Sequence, residues 1–405
     1  MAKKIRFFFR RTNLNRYTIT YLTALLDEYL PDFFELKIVD GFGELYKELS
    51  LNSEFISVVG YSLGVWEFKK HLEEISQLKR SFKDKVIIIS GGPQASGLPE
   101  EILDRGADLV FIGEAEESLL SFLKDFYHSL ELPSERIIKP QPLQDFNSYP
   151  PFAYKRGIFS PIELRRGCEN KCFFCQTPYL FPQIRERDLD YVKKYANLLK
   201  EQGKKDLFFL LPDGLSYKQK NKGVNITYLE KFLKELSEEG FNLCWGYFPS
   251  EVFPTRVVNT PQVAKVLKKY VQNKKISLGC QTGSPRILEL INRDHTLEDV
   301  RKAVKVLREE GFQVIVDIIL GFPQEELSDR WQTLNFIKDL AQNYQAKFNL
   351  HYFIRLPQTP FFKLKPTPIE EEIKDEIYSL MKKGIAFGNF FKQLKTAFGN
   401  NKNEA

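Results

Sequence analysis

The stretch Arg165-Arg166-Gly167-Cys168-Glu169-Asn170-Lys171-Cys172-Phe173-Phe174-Cys175 places three cysteines at C-x3-C-x2-C spacing, with no fourth cysteine nearby. A cubane iron–sulfur cluster has four irons and is usually held by four thiolates. Three thiolates therefore leave one iron open. An open metal position can bind a ligand that then reacts, as in catalytic zinc sites. We predict that Cys168, Cys172 and Cys175 hold a catalytic [4Fe-4S] cluster.

Other interpretations of these cysteines fit the spacing less well. A structural zinc site needs four protein ligands, usually as two C-x2-C halves, and the stretch contains one such half and no histidine. A disulfide framework would leave one of the three cysteines unpaired. Five cysteines in 405 residues are typical of a protein in a reducing compartment, so we expect a cytoplasmic location.

Composition and charge indicate an ordinary globular enzyme. The chain is 43% hydrophobic and 28% charged, and its length suits two domains with a tail. The net charge of +6 arises from 59 basic and 53 acidic residues that are spread along the chain, so we expect no nucleic-acid partner. No apolar run approaches the ~20 residues of a membrane helix, so we expect no transmembrane span.

Residues 1–130 alternate strand-like and helix-like segments. Short apolar runs rich in β-branched residues predict strands, and apolar residues at helical spacing between them predict helices. The pattern favours an α/β domain with a doubly wound, Rossmann-like parallel sheet. The predicted strands are Ile5–Phe9, Glu35–Val39, Phe55–Val59, Lys85–Ser90 and Leu109–Ile112.

Small residues follow three of these strands. Parallel sheets of this kind bind ligands beyond the carboxyl ends of their strands, and glycines there allow a flat ligand to approach the backbone. No G-x-G-x-x-G follows the first strand, which disfavours a dinucleotide. The residues concerned are Ser62, Leu63 and Gly64, then Gly91, Gly92, Pro93 and Gln94, then Gly113 and Glu114.

The rest of the chain divides into three parts. Residues 131–158 contain five prolines and little periodicity, which indicates a linker. Residues 159–360 contain alternating strand and helix signals, and residues 361–405 predict a helical C-terminal tail. The six predicted strands are Ile162–Arg166, Leu207–Leu211, Asn242–Phe248, Ile276–Gln281, Val314–Gly321 and Phe348–Leu356.

The cysteine motif resembles that of the radical SAM superfamily, in which an apolar residue such as Phe174 precedes the last cysteine. In that family S-adenosylmethionine (SAM) chelates the open iron, and one electron cleaves it to methionine and a 5′-deoxyadenosyl radical. The segments Leu278–Ser284 and Asp317–Pro323 resemble the family's fourth and fifth strand segments. The resemblance implies a partial (β/α)6 barrel at residues 159–360.

Strand alternation and this resemblance suggest which side chains face the barrel interior. On the fourth strand, Ser277, Gly279 and Gln281 share one face, and Cys280 lies on the other. On the sixth strand Asn349, His351 and Arg355 share a face, and we expect them to contact substrate. The residues expected to contact SAM are Phe174, Asp213, Gly214, Gln281, Ser284, Asp317 and Gly321.

The N-terminal run Gly91-Gly92-Pro93-Gln94-Ala95-Ser96 with the later Gly113-Glu114-Ala115-Glu116 resembles the cobalamin-binding domain that precedes many radical SAM domains. Gln94 replaces the family's usual histidine, and the D-x-H-x-x-G motif of other cobalamin proteins is absent. Cobalamin therefore binds without a histidine ligand, or the domain has lost its cofactor. We expect His71 to lie on the surface of a helix.

The leading hypothesis is a cobalamin-dependent radical SAM methyltransferase that acts on an unactivated carbon of a small-molecule or lipid-like substrate, with a flavodoxin or ferredoxin as electron donor. An alternative is a radical SAM enzyme that lacks cobalamin and catalyses a rearrangement or oxidation. Gln281-Thr282-Gly283-Ser284 suggests a methylthiotransferase, but that family needs three more cysteines in its N-terminal domain, and residues 1–167 contain none. A further alternative is an iron–sulfur electron carrier or sensor.

Overall fold

The chain forms two compact units in a computed structural model that describes residues 5–30, 34–51, 55–143, 145–219 and 223–398. The first unit comprises Met1–Ile162, Tyr179–Phe181 and Asp190–Gly203, and the second comprises Glu163–Pro178, Pro182–Leu189 and Lys204–Ala405. The predicted linker, residues 131–158, thus belongs to the first unit. The helices that the structure describes include none of the length and apolarity needed to cross a membrane.

The first unit alternates strands and helices. Its strands are β1 (Ile5–Arg10), β2 (Phe34–Val39), β3 (Ile56–Ser62), β4 (Val86–Gly91), β5 (Leu109–Phe111) and β6 (Ile137–Ile138). Its helices are α1 (Arg16–Tyr29), α2 (Phe42–Leu51), α3 (Phe68–Phe82), α4 (Pro93–Gly97), α5 (Pro99–Asp104) and α6 (Glu116–Ser129). A later helix, α8 (Leu189–Glu201), contributes Asp190 onward to the same unit.

The strands of this unit form a parallel sheet in the order β2-β1-β3-β4-β5-β6. Successive side chains of β1 alternate between two apolar cores, since Phe7 and Phe9 pack on one face of the sheet and Phe8 on the other. Both faces are therefore buried, as in a doubly wound sheet. The edge strand β6 lies within the predicted linker. The sequence analysis did not predict it, because a run of two isoleucines between prolines is too short to indicate a strand.

His71 lies in the core instead of on the surface, so that expectation was wrong. Its exposed fraction is 1%, its ring packs edge-on against Tyr61 at 5.5 Å, and both ring nitrogens lack hydrogen-bond partners. Helical spacing explains the position, because Phe68, His71 and Ile75 fall on one face of α3. Burial lowers the pKa of His71 from its usual 6.5, although the nearby Glu74 opposes the shift.

We expect His71→Leu to make the free energy of unfolding less sensitive to acid. As the pH falls through 6.5, the unfolded chain protonates His71 more readily than the folded chain does, so the unfolded state binds more protons. Stability therefore falls with falling pH by up to about 1.4 kcal/mol per pH unit for this one group. Thermal midpoints measured between neutral pH and about pH 5 should fall less steeply in the variant. His128→Leu, at an exposed histidine of α6, should retain the wild-type slope, and equal slopes for both variants would contradict the assignment.

The described residues of the second unit form three further sheets. Its strands are β7 (Ile162–Glu163), β8 (Arg165–Arg166), β9 (Arg185–Glu186), β10 (Asp206–Leu210), β11 (Asn242–Cys244), β12 (Lys275–Gln281), β13 (Gln313–Leu320), β14 (Lys347–Tyr352) and β15 (Ala386–Phe387). Its helices are α7 (Thr177–Leu180), α9 (Ile226–Glu238), α10 (Pro254–Asn259), α11 (Gln262–Tyr270), α12 (Pro285–Leu290), α13 (Leu297–Glu309), α14 (Leu327–Tyr344), α15 (Glu371–Lys382) and α16 (Phe390–Phe398).

An interrupted sheet runs through this unit. One part has the order β11-β10-β7 and the other β12-β13-β14-β15. Backbone hydrogen bonds between residues 246–252 and β12 connect the two parts, for example from Val252 N to Ser277 O at 2.8 Å. The predicted first strand is divided, since β8 leaves this sheet and pairs antiparallel with β9.

Side-chain caps mark the start of two helices of the second unit. Thr296 and Asp299 form a reciprocal capping box at the start of α13, and the Ser284 hydroxyl accepts a hydrogen bond from the backbone of Ile287 at the start of α12. The C-terminal segment is helical, as expected, but it also contributes β15, which pairs parallel with β14. The tail thus adds a strand beyond the six that the sequence predicts.

Candidate functional site

The three clustered cysteines lie on one loop that the rest of the second unit holds in place. Phe173 donates its backbone N–H to Ile291, and Asn292 donates its side-chain amide to the Lys171 carbonyl at 2.8 Å. Cys172 is buried, whereas Cys168 and Cys175 are partly exposed. Burial raises the pKa of the Cys168 thiol to about 12, and the neighbouring Cys175 adds to this shift. Burial likewise raises the pKa of Cys175.

The donor set of this loop fits an iron–sulfur cluster. Among the described residues, no group of three or more His, Cys, Asp or Glu side chains is arranged to hold a metal ion. Each thiolate of a cubane cluster binds a different iron, however, so cluster ligands need not converge on one ion. Arg293 places its Nη1 at 3.4 Å from Cys172 Sγ, where a positive charge stabilises a thiolate. Cys168, Cys172 and Cys175 would hold the cluster.

Arg293 connects the cysteine loop to the carboxyl half of β12. Its Nη2 donates to the carbonyl of Gly279 at 2.6 Å, and its guanidinium lies 3.7 Å from the ring centre of Phe253. The three contacts fix this buried cation between the cysteines and the strand. The position of this cation beside Cys172 could not be predicted from the sequence, because the two residues are 121 positions apart.

A cavity of about 520 Å³ opens beside this arginine, within the second unit. Polar side chains from β12, β13 and β14 form one wall, and aromatic side chains form much of the remainder. The lining residues are Phe174, Tyr247, Phe248, Pro249, Ser250, Glu251, Ser277, Gln281, Ile315, Asp317, Ile319, Asn349, His351 and Phe387. The structure thus brings together Phe174, Gln281, Asp317, Asn349 and His351 of the predicted contact residues.

Glu251 is the ionisable group of this cavity that the sequence analysis missed. Burial raises the pKa of its carboxyl to about 7, the nearby carboxylates of Asp317 and Asp213 add to the shift, and the Arg293 guanidinium opposes it. A carboxyl that ionises near neutral pH can either donate or accept a proton there. It lies on an irregular segment after the predicted third strand, where neither strand nor helix periodicity marks it.

Three functional side chains converge over Gly279. A Cβ atom at this position would lie 2.6 Å from Arg293 Nη2, 2.9 Å from Gln281 Nε2 and 2.9 Å from Glu251 Cδ. Gln281 itself has a positive φ of 79° at an irregularity in the pairing of β12 with β13. The absence of a side chain at Gly279 therefore leaves room for the guanidinium, the amide and the carboxyl to pack against the strand at this position.

The carboxylate of Asp213, one of the predicted SAM contacts, is paired with groups of the protein itself. Its Oδ2 accepts from Arg256 Nε at 2.8 Å, and its Oδ1 accepts from the backbone of Leu215. Arg256 also donates to Glu169 at 2.7 Å, and Glu169 in turn pairs with Arg165. A buried carboxylate is stable when paired in this way. The network fixes the base of the cysteine loop, and Asp213 is not among the described residues that line the cavity.

Four more predicted contact residues lie outside that lining. The Ser284 hydroxyl caps α12 and donates to Asp329 at 2.6 Å. Gly321 has a positive φ of 83°, and a Cβ there would lie 2.1 Å from the Tyr352 ring, so packing requires a glycine. The Gly214 N–H donates to the Glu251 carbonyl. Arg355 is exposed and follows the end of β14 at Tyr352, so strand alternation no longer applies to it.

In the first unit, the predicted ligand residues do meet at the carboxyl edge of the sheet. Leu63 donates its N–H to Gly91 O at 2.8 Å and accepts from Gln94 N at 3.1 Å. Gly92 has a φ of 95°, and a Cβ there would lie 3.0 Å from Leu63 N. Gly113 donates its N–H to the Ser96 hydroxyl at 2.9 Å. Ser62 ends β3 and Pro93 begins α4, while Gly64 and Glu114 lie in the adjoining loops.

Two buried polar atoms at this edge lack partners. Ser90 Oγ and Gln94 Oε1 have no hydrogen bond, although their residues are only 1% and 5% exposed. An unsatisfied buried group of this kind costs about 1–3 kcal/mol unless a ligand or water satisfies it. The glycines and these two atoms fit a polar, flat ligand such as cobalamin. Pro140 packs against Gly113, so the segment after β6 borders the same edge.

Comparison with known families decides the identity of the second unit. Residues 162–337 match the family model of the radical SAM superfamily, and this range contains the three cysteines, Glu251, Gln281, Arg293 and Asp317. The chain carries a radical SAM domain. The [4Fe-4S] cluster and SAM expected from the cysteine spacing are cofactors of that family. The matched range thus contains the cysteine loop and most of the cavity lining, and Asn349, His351 and Phe387 complete the lining from beyond it.

Two curated relatives of the radical SAM chain are tRNA-modifying enzymes. Threonylcarbamoyladenosine tRNA methylthiotransferase MtaB of Aquifex aeolicus is 28% identical over 321 residues, which cover 76% of this chain and 73% of that protein. The tRNA-2-methylthio-N(6)-dimethylallyladenosine synthase of Buchnera aphidicola is 26% identical over 373 residues, covering 91% and 80%. Both similarities extend beyond the matched domain.

Solved structures with the same fold include cobalamin-dependent radical SAM proteins. TsrM from Kitasatospora setae, a methyltransferase solved with cobalamin and a [4Fe-4S] cluster bound, has a TM-score of 0.65 at 15% identity over 89% of this chain and 74% of that one. OxsB with aqua-cobalamin bound has a TM-score of 0.62 at 13% identity, over 94% and 56%. At these identities the likeness establishes the fold, including the α/β domain that precedes the radical SAM domain.

Proposed function

We propose that this radical SAM enzyme is a cobalamin-dependent methyltransferase that acts on an unactivated carbon. The observation that carries the proposal is the glycine-lined carboxyl edge of the first sheet, in a chain that also has the C-x3-C-x2-C loop and shares its fold with TsrM, a methyltransferase solved with cobalamin bound. The predicted substrate class, a small or lipid-like molecule, stays a prediction.

The residues of the radical SAM domain have distinct tasks in this proposal. The cluster, when bound, supplies the electron that cleaves SAM to methionine and a 5′-deoxyadenosyl radical. Cys168, Cys172 and Cys175 hold the cluster, and Arg293 stabilises the thiolate of Cys172. Gln281 and Asp317, together with Glu251, offer hydrogen bonds to polar groups of SAM inside the cavity. Phe174 and its aromatic neighbours form much of the remaining lining of the cavity.

Ser62, Leu63, Gly64, Gly91, Gly92, Pro93, Gln94, Gly113 and Glu114 would surround cobalamin at the sheet edge of the first unit. The group, when bound, supplies the methyl group. Gln94 stands where related domains have histidine, and an amide oxygen is a weaker ligand for cobalt than an imidazole. We therefore propose binding through the backbone edge and amide hydrogen bonds, without a histidine ligand. The TsrM and OxsB structures, which have the same fold and contain cobalamin, support this proposal.

A tRNA methylthiotransferase is the second candidate function, because the curated relatives have that activity. The segment Gln281-Thr282-Gly283-Ser284 also favours it. Residues 1–167 contain no cysteine, however, and a methylthiotransferase needs cysteines there for a second cluster. The methyltransferase remains the better supported proposal.

Anaerobic reconstitution with iron, sulfide and hydroxocobalamin tests the proposal. We expect retention of one cobalamin per chain after desalting, measured by its absorbance and by mass spectrometry. When a low-potential chemical reductant is added to bring the cobalt from Co(III) to Co(I), SAM bearing a deuterated methyl group should transfer that group to the retained corrinoid and leave S-adenosylhomocysteine. A chain that retains no corrinoid, or that binds two clusters, would overturn the proposal in favour of a radical SAM enzyme without cobalamin or a methylthiotransferase, respectively.

Gly92→Ala should weaken cobalamin binding about tenfold. A Cβ at a φ of 95° approaches the Leu63 backbone at 3.0 Å, and left-handed backbone costs a non-glycine residue about 1–2 kcal/mol. To relieve this contact, the end of β3 and the start of α4 must move apart at the proposed cobalamin edge. Gly43→Ala in α2, where a Cβ meets no atom within 4 Å, is the matched control and should bind cobalamin normally. Equal affinity of the two variants would contradict the placement of cobalamin at this edge.

A further inference from the structure

We propose that Gln393 is a positioning residue that fixes the proton of His351 on Nε2, so that the cavity accepts a molecule with a hydrogen-bond acceptor at that point. The inference builds on the proposed function, because it treats the cavity as the place where the substrate binds. It adds a property of the substrate that the function alone does not specify. Gln393 belongs to α16, outside the matched radical SAM range.

The orientation of the Gln393 amide follows from its backbone partner. Its Oε1 accepts a hydrogen bond from the N–H of Tyr352 at 2.8 Å, and the residue is 7% exposed. An amide turned by 180° would place its NH2 group against that N–H, which is also a donor. Two facing donors in a buried position would leave both unsatisfied, at a cost of about 1–3 kcal/mol each. The oxygen therefore faces Tyr352.

The opposite end of the same amide then determines the tautomer of His351. Gln393 Nε2 lies 3.2 Å from His351 Nδ1, and an amide NH2 group can only donate. His351 Nδ1 must accept, so it carries no proton. A neutral imidazole bears its single proton on the other nitrogen, which here is Nε2. A residue near the C-terminus thus decides which atom of a cavity side chain is the donor.

The Nε2–H group is available to a bound molecule. Asp317 Oδ1 lies 3.9 Å from it, which is beyond hydrogen-bond distance. The Asp317 carboxylate already accepts from Asn349 Nδ2 at 2.7 Å and from Ser277 Oγ at 3.1 Å. His351 lines the cavity and is partly exposed. The imidazole therefore presents an N–H donor beside a satisfied carboxylate.

Two exposed aromatic side chains line the same cavity. Phe248 and Phe387 are 63% and 46% exposed, and apolar rings of this size are usually covered. They offer flat apolar surface to a ring or chain of the substrate. The combination favours a substrate with a planar apolar part and an acceptor atom, such as a carbonyl oxygen, ether oxygen or ring nitrogen. A group that can only donate would face the Nε2–H and be rejected.

The tautomer can be measured directly by nitrogen NMR of histidine-labelled enzyme, with the cluster in its oxidised state. The chain has four histidines, so each imidazole can be assigned by single substitution. We expect Nε2 of His351 to be protonated in the wild type. Gln393→Glu should move the proton to Nδ1, because the carboxylate only accepts and can still accept from Tyr352 N–H. Gln262→Glu, the same change at an exposed position of α11, should leave the tautomer unchanged.

Binding of two matched probes tests the acceptor requirement. Pyridine and pyrrole are flat rings of similar size, but pyridine only accepts and pyrrole only donates a hydrogen bond. In enzyme saturated with SAM, pyridine should shift the His351 Nε2 resonance and bind about tenfold more tightly than pyrrole, as one hydrogen bond predicts. The preference should reverse or vanish in Gln393→Glu.

Three results would overturn the inference. The first is a proton on Nδ1 of His351 in the wild type, and the second is an unchanged His351 tautomer in Gln393→Glu. The third is equal binding of pyridine and pyrrole, which includes the case in which neither probe shifts the His351 Nε2 resonance. None of these results depends on cobalamin or methyl transfer. Failure of the proposed function would appear as absent corrinoid in the reconstitution, and failure of the inference would appear in the nitrogen spectrum. The two can therefore fail separately.

Discussion

Replacement of Cys172 by alanine is expected to abolish cluster assembly and SAM cleavage together. Cys172 is the buried member of the C-x3-C-x2-C set, and Arg293 contacts its sulfur at 3.4 Å. Two remaining thiolates would leave a second iron without a protein ligand. Iron and sulfide content, the cluster absorbance and formation of 5′-deoxyadenosine under reducing conditions should all fall to background.

A control at another cysteine separates cluster ligation from general thiol chemistry. Cys244→Ala changes a partly exposed cysteine of β11 that lies outside the cysteine loop, and burial raises the pKa of its thiol to about 11. The variant should assemble a cluster and cleave SAM normally. A Cys172→Ala protein with wild-type absorbance would show that another residue holds the cluster, and the assignment of the loop would be wrong.

Gly279→Ala should reduce SAM cleavage about 100-fold, the effect expected of a misplacement of about 1 Å at a reacting centre. The added Cβ would lie within 3 Å of Arg293, Gln281 and Glu251. Arg293 cannot move freely, because it contacts Cys172, the Gly279 carbonyl and the Phe253 ring. We therefore expect Gln281 and Glu251 to be displaced into the cavity. SAM affinity from equilibrium dialysis and the rate of 5′-deoxyadenosine formation measure the effect.

A second variant keeps this test decisive if Gly279→Ala folds poorly. Glu251→Gln has nearly the same volume but cannot ionise, and we expect about tenfold weaker SAM binding from one altered hydrogen bond. Cluster absorbance, which reports the integrity of the loop, should be unchanged by Glu251→Gln. If both variants bound SAM as tightly as the wild type, SAM would not occupy this cavity.

Much of the fold follows from patterns that are local in sequence. The alternation of apolar runs and helical spacing predicted β1 to β5 of the first unit, because both faces of that sheet are buried. The prediction failed where a pattern is short, as in β6 and β15, which have two residues each. Such strands form because an existing sheet edge binds them, and their own residues carry little signal.

In the candidate site, too, features that are local in sequence were predicted and partners that are distant in sequence were not. Strand alternation correctly placed Cys280 in the core, opposite the cavity face of β12. For Asp213 and Ser284, the sequence did not reveal the hydrogen-bond partners. Asp213 pairs with Arg256, 43 residues away, and Ser284 pairs with Asp329, 45 residues away. A polar residue at a predicted ligand position can be satisfied by the protein itself, and only the packed structure reveals this.

The sequence by itself determined the fold class and predicted the cluster ligands, because both depend on spacing within short segments. The C-x3-C-x2-C spacing brings three thiols onto one loop whatever surrounds it. The tertiary structure alone decided that Arg293 contacts Cys172 across 121 residues, that Glu251 lies in the cavity with a raised pKa, and that Gln393 contacts His351 across 42 residues. Hydrogen bonds and desolvation act at distances of a few ångströms, and chain folding sets those distances.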